Sequence, residues 1–463
     1  MRVPSLHRMT NGDGALHGSP WSHTSPSTIS SAVIIILGIL ISQGCSAPPS
    51  SGAGQDAVLG RDSGGGAIMA QFVTINESFV LKHLAIDPFS GRVYAGAVNR
   101  LYELDGNLRL EATVPTGPKM DNPNCHASGC REDKDNSETM SWTNNVNKVL
   151  LVDPSSRALI SCGSVAQGAC HKYNLTNITL PPEFAPHAVA ANDENSSTFA
   201  FIGPAKYSMW SVSNVLYVGT TFTNNGDYRH DVPAISSRNL YNFDYAEYSF
   251  AKQSMLRIDV KYRDHFLVKY VYGFNASNYA YFVIVQKQSY LHGFEEQGYV
   301  SRLARTCITD ANYDSYTEVT LECNGLNSVY RSNNHNSNAA NSYNIIQDAK
   351  IIPAREDLAK SLGINKGDLV FVGVFAQSKG ITNEPSSESA VCVYSLRDIE
   401  TKFTENIHMC FNGTVENRNM DYISGPILDG KCFEPGVSIF FFSNYFSPSV
   451  PPIIIHPSIV LFF

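Results

Sequence analysis

The chain has 463 residues, of which 43% are hydrophobic, 11% aromatic and 16% charged. This composition is normal for a packed globular protein and too apolar for a disordered one, and the length allows several average domains or one large all-β unit. The formal net charge of −8, with no long basic run, excludes the electrostatic footprint of a nucleic-acid-binding protein.

The N-terminus has the features of a secretory signal. Basic residues precede a ten-residue apolar run, residues 32–41, and small residues follow it through Ala47. The run is shorter than the roughly 20 residues of a membrane-spanning helix, and a buried core helix is the alternative. We expect residues 1–47 to be a signal peptide with a long n-region and residues 48–70 to be a flexible leader.

A short motif recurs along the chain. Asp-Pro, a Ser-containing turn and a β-rich run with Gly occur at residues 87–96 and again at residues 153–163, and related runs contain Gly219 and Gly373. We interpret the motif as a turn that feeds an inner strand. Units of roughly 60 residues, each with several short strands, indicate the blades of a β-propeller. A β-sandwich is the alternative, although it gives no reason for the motif to return.

Helical periodicity is scarce. Only residues 354–364, which close at Gly363, have the apolar spacing of an amphipathic helix. Elsewhere short Val-, Ile-, Tyr-, Phe- and Thr-rich runs alternate with turn residues, which is typical of all-β folds. The Asn-rich residues 330–344 predict an exposed loop. Residues 433–463 are apolar and interrupted by prolines, so we expect an unrelated tail that forms neither a strand nor a spanning helix.

Two further features indicate export. Nine cysteines remain once Cys45 is removed with the signal, and an odd number in an oxidising compartment leaves one thiol without a partner. Six Asn-X-Ser/Thr sequons predict N-glycosylation, at Asn76, Asn174, Asn177, Asn195, Asn275 and Asn412.

Catalytic motifs are absent from the sequence. It contains no G-x-S-x-G, H-E-x-x-H or P-loop pattern. Ser164 lies near His171, but proximity in sequence does not establish the geometry of a triad, and a disulfide-closed turn is the simpler interpretation. We expect no enzyme activity and no cofactor.

A zinc site is the alternative use of one group of cysteines and histidines. Thiols in the secretory compartment oxidise, however, and short local loops suit disulfides, so we favour disulfides over metal. The residues concerned are Cys125, His126, Cys130, Cys162, Cys170 and His171.

One polar segment is a candidate ligand-binding loop. Residues 223–240, which we place between blades, concentrate charged and aromatic side chains, and exposed Tyr and Arg are favoured anchors in protein interfaces. A solvated loop with internal turn hydrogen bonds is the alternative. The candidate contact residues are Asp227, Tyr228, Arg229 and Asp231, beside His230.

The stretches VPAISSRNL, GYVSRLARTC, ESAVCVYSL and MCFNGTVENRNMDYISGPILDGKC closely resemble the sema domain of plexins, most of all invertebrate A-type plexins. The resemblance runs from about Phe72 to Cys432. It implies a seven-bladed β-propeller, incomplete here with about five blades present in residues 71–432. It also implies a semaphorin as protein ligand, bound propeller to propeller, possible co-receptors, and a role in axon guidance at the extracellular face of the plasma membrane.

The plexin pattern implies a set of disulfides. Cys307 is left unpaired, because its usual partner beyond the position of Cys432 is absent. The implied pairs are Cys125–Cys130, Cys162–Cys170, Cys323–Cys392 and Cys410–Cys432.

Relative to that pattern the chain lacks the last blades, the membrane-spanning helix and the cytoplasmic part. We therefore expect a C-terminally truncated receptor that is secreted or retained in the secretory pathway. Because unpaired blade edges favour aggregation, it should fold poorly alone. A secreted decoy that sequesters semaphorin is the alternative, and it requires a folded product that keeps its affinity.

Overall fold

The computed structural model describes a defined part of the chain. The expected signal peptide, nearly all of the leader and most of the Asn-rich loop lie outside the described residues. The described residues are 70–74, 79–129, 140–207, 211–249, 253–324, 342–411, 420–424, 454–455 and 459–462.

Antiparallel sheets follow one another along the chain, and the spatial order of their strands follows the sequence order. Blade one consists of β1 to β4, at Leu81–Ile86, Val93–Ala97, Arg100–Leu104 and Leu110–Pro115. A separate ribbon then pairs β5 with β6, at Lys119–Asp121 and Ser141–Thr143. Blade two consists of β7 to β10, at Val149–Asp153, Ala158–Cys162, Cys170–Asn174 and Glu183–Ala185.

The next three sheets each gain a strand from a distant part of the chain. Blade three has β11 to β14 and β22, at Thr198–Ala205, Ser213–Thr220, Ile235–Asn239, Met255–Ile258 and Ile423–Ser424. Blade four has β15 to β18 and β23, at Val268–Ala276, Tyr279–Lys287, Tyr299–Cys307, Thr317–Leu321 and Ile454–Ile455. Blade five has β19 to β21 and β24, at Ile345–Pro353, Leu369–Ser378, Pro385–Ser395 and Ile459–Phe462.

The blades are arranged around their first strands. β1 contacts β7, β7 contacts β11, β11 contacts β15, and β15 contacts β19. The first strand of each blade is therefore the innermost, and the described residues form five consecutive blades of a β-propeller. The all-β propeller prediction is confirmed.

The recurring Asp-Pro motif is the hairpin turn between the first and second strands. The Asp87 carboxylate accepts hydrogen bonds from the Phe89 amide at 3.1 Å and the Ser90 hydroxyl at 2.6 Å. In blade two, Asp153 accepts hydrogen bonds from the hydroxyls of Ser155 and Ser156. The sequence predicted a turn that leads into an inner strand. The turn instead follows the innermost strand and leads into the second strand of the blade.

Two of the glycines, Gly96 and Gly219, lie where the second strand packs on the next blade. A Cβ at Gly96 would lie 2.3 Å from Oδ1 of Asn147, and one at Gly219 would lie 2.3 Å from the Tyr270 ring. Such distances are far below van der Waals contact. At these two positions a side chain would push neighbouring blades apart.

Two α-helices lie within the described residues. α1, Glu356–Leu362, ends at Gly363 in the left-handed conformation, as the sequence predicted. The expectation of a single helix is wrong, because α2 spans Leu396–Phe411. Within the described part of the chain, neither helix is long and apolar enough to cross a membrane. One face of α2 is buried in the core of blades four and five, through Leu396, Ile399 and Phe403.

Aromatic side chains fill the space between neighbouring blades. The Phe201 ring of β11 stacks on Tyr217 with centroids 5.1 Å apart and contacts Phe282 of blade four at 5.6 Å. Each of these side chains is at most 8% exposed. Aromatic contacts of this kind add to the stabilisation from burial, so they fix how one blade lies against the next.

The expectation that residues 433–463 form no strand is wrong for their described part. β24 pairs antiparallel with β21 and provides the fourth strand of blade five, while β23 pairs parallel with β18. Neither segment contains a proline, so each keeps its backbone donors. An apolar segment without proline satisfies its backbone groups by pairing with an exposed strand edge.

Candidate ligand-binding face

Several loops of neighbouring blades emerge at one end of the propeller, which we call the upper face. In an antiparallel meander the chain reverses at every strand, so the loop between the second and third strands lies at the same end as the connection to the next blade. The upper face therefore carries residues 163–169, 186–197, 221–234 and 259–267.

Gln167 ties these loops together. Its side chain is 2% exposed and its Nε2 donates hydrogen bonds to the carbonyl oxygens of Pro123 at 2.5 Å and Cys125 at 2.9 Å. Its Oε1 accepts a hydrogen bond from Asn192 at 3.2 Å. The connections on both sides of blade two are thus held by one buried amide. Sequence reasoning missed this residue, which carries no motif.

The candidate loop lies within blade three, between β12 and β13, and not between blades as expected. Asp227–Asp231 form a 3-10 helix in which Asp227, Tyr228 and His230 are exposed. The Tyr228 ring, 39% exposed, makes an edge-to-face contact with His126 at 5.5 Å. The side chain of Asp231 lies outside the described atoms. The structure therefore brings Asp227 and Tyr228 together on an exposed surface.

The expectation that Arg229 is exposed is wrong. Its side chain is 1% exposed and Nη1 donates a hydrogen bond to the carbonyl oxygen of Gln167 at 3.1 Å. Burial lowers the pKa of Arg229 to about 10, a change that nearby Asp193 partly offsets. The guanidinium stays charged at neutral pH and links the loop of blade three to that of blade two.

A cleft lies beside this helix. Its walls are formed by the loop after β12, the end of β14 and the connection to β15. Nη1 of Arg263 donates a hydrogen bond to the carbonyl oxygen of His230 at 2.7 Å, and its guanidinium lies 5.4 Å from the Phe222 ring. Arg229 and Arg257 also line the cleft. None of the described lining residues has a carboxylate.

Ser164 and His171 serve separate structural roles. The Ser164 hydroxyl donates a hydrogen bond to the carbonyl oxygen of Asn144 at 3.2 Å and accepts one from the Val146 amide at 3.0 Å. The His171 ring packs on Phe184 at 4.9 Å, and burial lowers its pKa to about 4. Each side chain is engaged by its own neighbours, which gives no support for a nucleophile and base pair.

Cysteines of the described residues are mostly oxidised. One disulfide, Cys162–Cys170, closes the loop between β8 and β9. A second, Cys323–Cys392, joins blade four to blade five. Cys307 is the free cysteine of the described part of the chain, where no group of histidines, cysteines and carboxylates is arranged to hold a metal. Two more cysteines, Cys125 and Cys410, are disulfide-bonded, and their expected partners Cys130 and Cys432 lie outside the described residues.

Four sequons fall on described residues, and their asparagines are all exposed. Asn76 and Asn412 lie outside the described residues. The lower end of the propeller carries the loops between first and second strands and between third and fourth strands. Asn174, Asn177 and Asn275 lie near this end, whereas Asn195 lies in the upper connection after β10.

The comparisons with known proteins agree with this fold. A family model described as "Sema domain" matches residues 346–435. Plexin-A4 of Danio rerio is 32% identical over 359 residues, covering 73% of this chain and 18% of that protein. Plexin-A2 of Homo sapiens is 27% identical over 395 residues, covering 80% of this chain and 19% of that protein. The chain thus spans about a fifth of the length of these relatives.

A solved structure described as the plexin A4 full extracellular region, domains 1 to 8, matches with a TM-score of 0.63 and 27% identity. The match covers 82% of this chain and 41% of that one. Plexin extracellular sema domains are ligand-binding modules and not enzymes, in agreement with the absence of catalytic motifs from the sequence. The chain carries a sema domain of the plexin type, related to those of the A-type plexins.

Proposed function

We propose that this chain is the extracellular, semaphorin-binding region of a plexin-type cell-surface receptor that acts in axon guidance. The observation that carries the proposal is the upper face of blades two and three. Buried Gln167 and Arg229 hold its loops in place while Asp227 and Tyr228 project from them. A preorganised surface with an exposed aromatic side chain loses little entropy when a protein ligand binds.

The sequons support this choice of face. Three of the four on described residues lie near the lower end, where glycans would leave the upper face accessible, and the fourth, Asn195, lies on the upper face itself. We further propose that residues 1–47 direct the chain into the secretory pathway and that the sema domain begins near residue 71. N-terminal sequencing of the product from a secretory host tests the cleavage site.

Surface plasmon resonance against a panel of semaphorin ectodomains tests the binding function. The full chain is expressed in a secretory host, and at least one semaphorin should bind. Tyr228→Ala should weaken that binding roughly tenfold or more, because aromatic anchors dominate interface energies. Tyr241→Ala is the matched control, since Tyr241 is 85% exposed but follows β13 at the lower end.

Two outcomes contradict the proposal. A monodisperse, folded chain that binds none of the semaphorins would reject semaphorin binding. Equal losses from Tyr228→Ala and Tyr241→Ala would reject the upper face as the contact surface. Adding the secreted chain to semaphorin-responsive cells then tests the decoy alternative, which requires that the chain suppress their response.

A further inference from the structure

The cleft beside the 3-10 helix of blade three concentrates positive charge in a partly apolar recess. Arg229, Arg257 and Arg263 all line it. The protein as a whole carries a net charge of −8. Three arginines and no carboxylate among the described lining residues therefore distinguish this cleft from the chain as a whole.

Two of these guanidiniums have unused donors. Nε of Arg229 and Nε of Arg263 are both buried and have no hydrogen-bond partner among the described atoms. A buried donor without an acceptor is costly, and the charge of nearby Arg238 further lowers the pKa of Arg229. Asp193, whose charge raises the pKa of Arg229, already accepts hydrogen bonds from the amide and hydroxyl of Ser196.

An anion in the cleft would supply what these groups lack. A carboxylate has two oxygens that match the fork of a guanidinium, and such charge-assisted pairs are about twice as strong as neutral hydrogen bonds. We propose that the cleft formed by Arg229, Arg257 and Arg263 receives an aspartate or glutamate side chain of the protein ligand. This inference rests on the proposed function, because it names the ligand group that the upper face would take.

The shape and lining of the cleft favour an acidic side chain over a sulfated polysaccharide. Phe222, Ile258 and Phe266 line it beside the arginines, so the methylene groups of an amino acid would contact apolar surface. Polyanionic chains bind instead to exposed stripes of basic residues. Arg229 is 1% exposed, and a recessed charge of this kind is reached by a single projecting group.

Arg263→Gln tests the proposal, with Lys261→Gln as the matched control. Lys261→Gln removes one positive charge from the same connection. Lys261 itself is exposed and does not line the cleft. Affinity for the semaphorin that the wild-type chain binds should fall by roughly tenfold or more in Arg263→Gln and by less than about twofold in Lys261→Gln. Arg263→Lys keeps the charge and should restore part of the affinity. Arg257→Gln serves as the second variant should Arg263→Gln not be secreted.

A second readout does not depend on the semaphorin. At equal ionic strength, on the order of 100 mM sodium acetate should raise the unfolding temperature of the wild type by roughly 1–2 °C relative to sodium chloride. The Lys261→Gln variant should respond like the wild type, and Arg263→Gln should not respond. A structural role for Arg263 would lower the unfolding temperature in both salts and leave the acetate response intact.

The outcomes separate the two proposals. An acetate response confined to chains with intact arginines, without semaphorin binding, rejects the proposed function and keeps the carboxylate site. Unchanged affinity and unchanged acetate response in Arg263→Gln overturn the site. Retention on heparin that Arg263→Gln abolishes and Lys261→Gln preserves would show that the cleft takes a sulfated glycan, which also overturns it.

Discussion

The Cys323–Cys392 disulfide should contribute more to stability than Cys162–Cys170. The two bonds close chain segments of very different length, with sequence separations of 69 and 8 residues. In the chain-entropy model a cross-link lowers the entropy of the unfolded chain by an amount that grows with the logarithm of the number of residues in the closed loop. The model gives about 4.4 kcal/mol for the longer loop and about 2.5 kcal/mol for the shorter one.

The comparison is well controlled by the structure. All four half-cystines are 0% exposed, so replacing each pair by alanines leaves a similar small cavity in both variants. The cavity terms then largely cancel in the difference. The double variant C323A/C392A should lie about 2 kcal/mol below C162A/C170A in unfolding free energy.

Urea denaturation of the two secreted variants and the wild type, followed by tryptophan fluorescence, measures this difference. The slopes of the transitions should also be compared, because a removed cross-link expands the unfolded chain. Equal losses of stability, or a larger loss for C162A/C170A, would refute the argument from loop length. The energy would then reside in the local geometry of the upper loop of blade two.

Three further predictions follow from packing and burial. Phe403→Ala removes a side chain that is 0% exposed and should cost about 3–5 kcal/mol in urea denaturation, whereas Phe89→Ala, at an 84% exposed position, should cost little. Gly219→Ala places a Cβ 2.3 Å from a buried ring of the next blade and should cost about 1–3 kcal/mol, whereas a Cβ at Gly106 has its nearest neighbour at 3.8 Å and should be tolerated. His171 has a pKa of about 4 in the folded chain and 6.5 when unfolded, so the unfolded state binds more protons between these values. Stability should therefore fall as the pH drops from 6.5 to 4, by at most about 3 kcal/mol, and His171→Phe should flatten that dependence in pH-resolved thermal melts.

The fold was predictable from the sequence where a local rule repeats. The Asp-Pro motif recurs because Asp87 and Asp153 each cap the same hairpin turn with their carboxylates. The glycines recur because Gly96 and Gly219 sit at the same kind of contact between blades. The turn depends on a few neighbouring residues and can be found in the sequence, whereas the glycine contacts join distant residues and are visible in the sequence only through their repetition.

The second helix was also present in the pattern, although it was not predicted. Leu396, Ile399 and Phe403 have the helical spacing of three and four residues, and all three are buried. The two tail strands, in contrast, depend on which strand edges are available after the blades form. β24 pairs with β21 through contacts between residues about 70 apart in the chain, and no local pattern specifies that choice.

The candidate site shows the same division between local and distant causes. Tyr228 projects because a short helix presents it, and a charged, aromatic loop predicted that much. Arg229 is the next residue, and nothing in the sequence distinguishes it from a surface arginine. Its burial follows from the carbonyl of Gln167, which is 62 residues away and is brought near only when blades two and three pack.

That burial changes what the loop can do. An exposed arginine would exchange its hydrogen bonds with water. Buried and lining the same cleft as Arg263, with a donor left unused, Arg229 favours a ligand that carries negative charge into the recess. The residues that hold the upper face together thus also give it a chemical preference, and replacing Arg263 in the full chain separates these two roles.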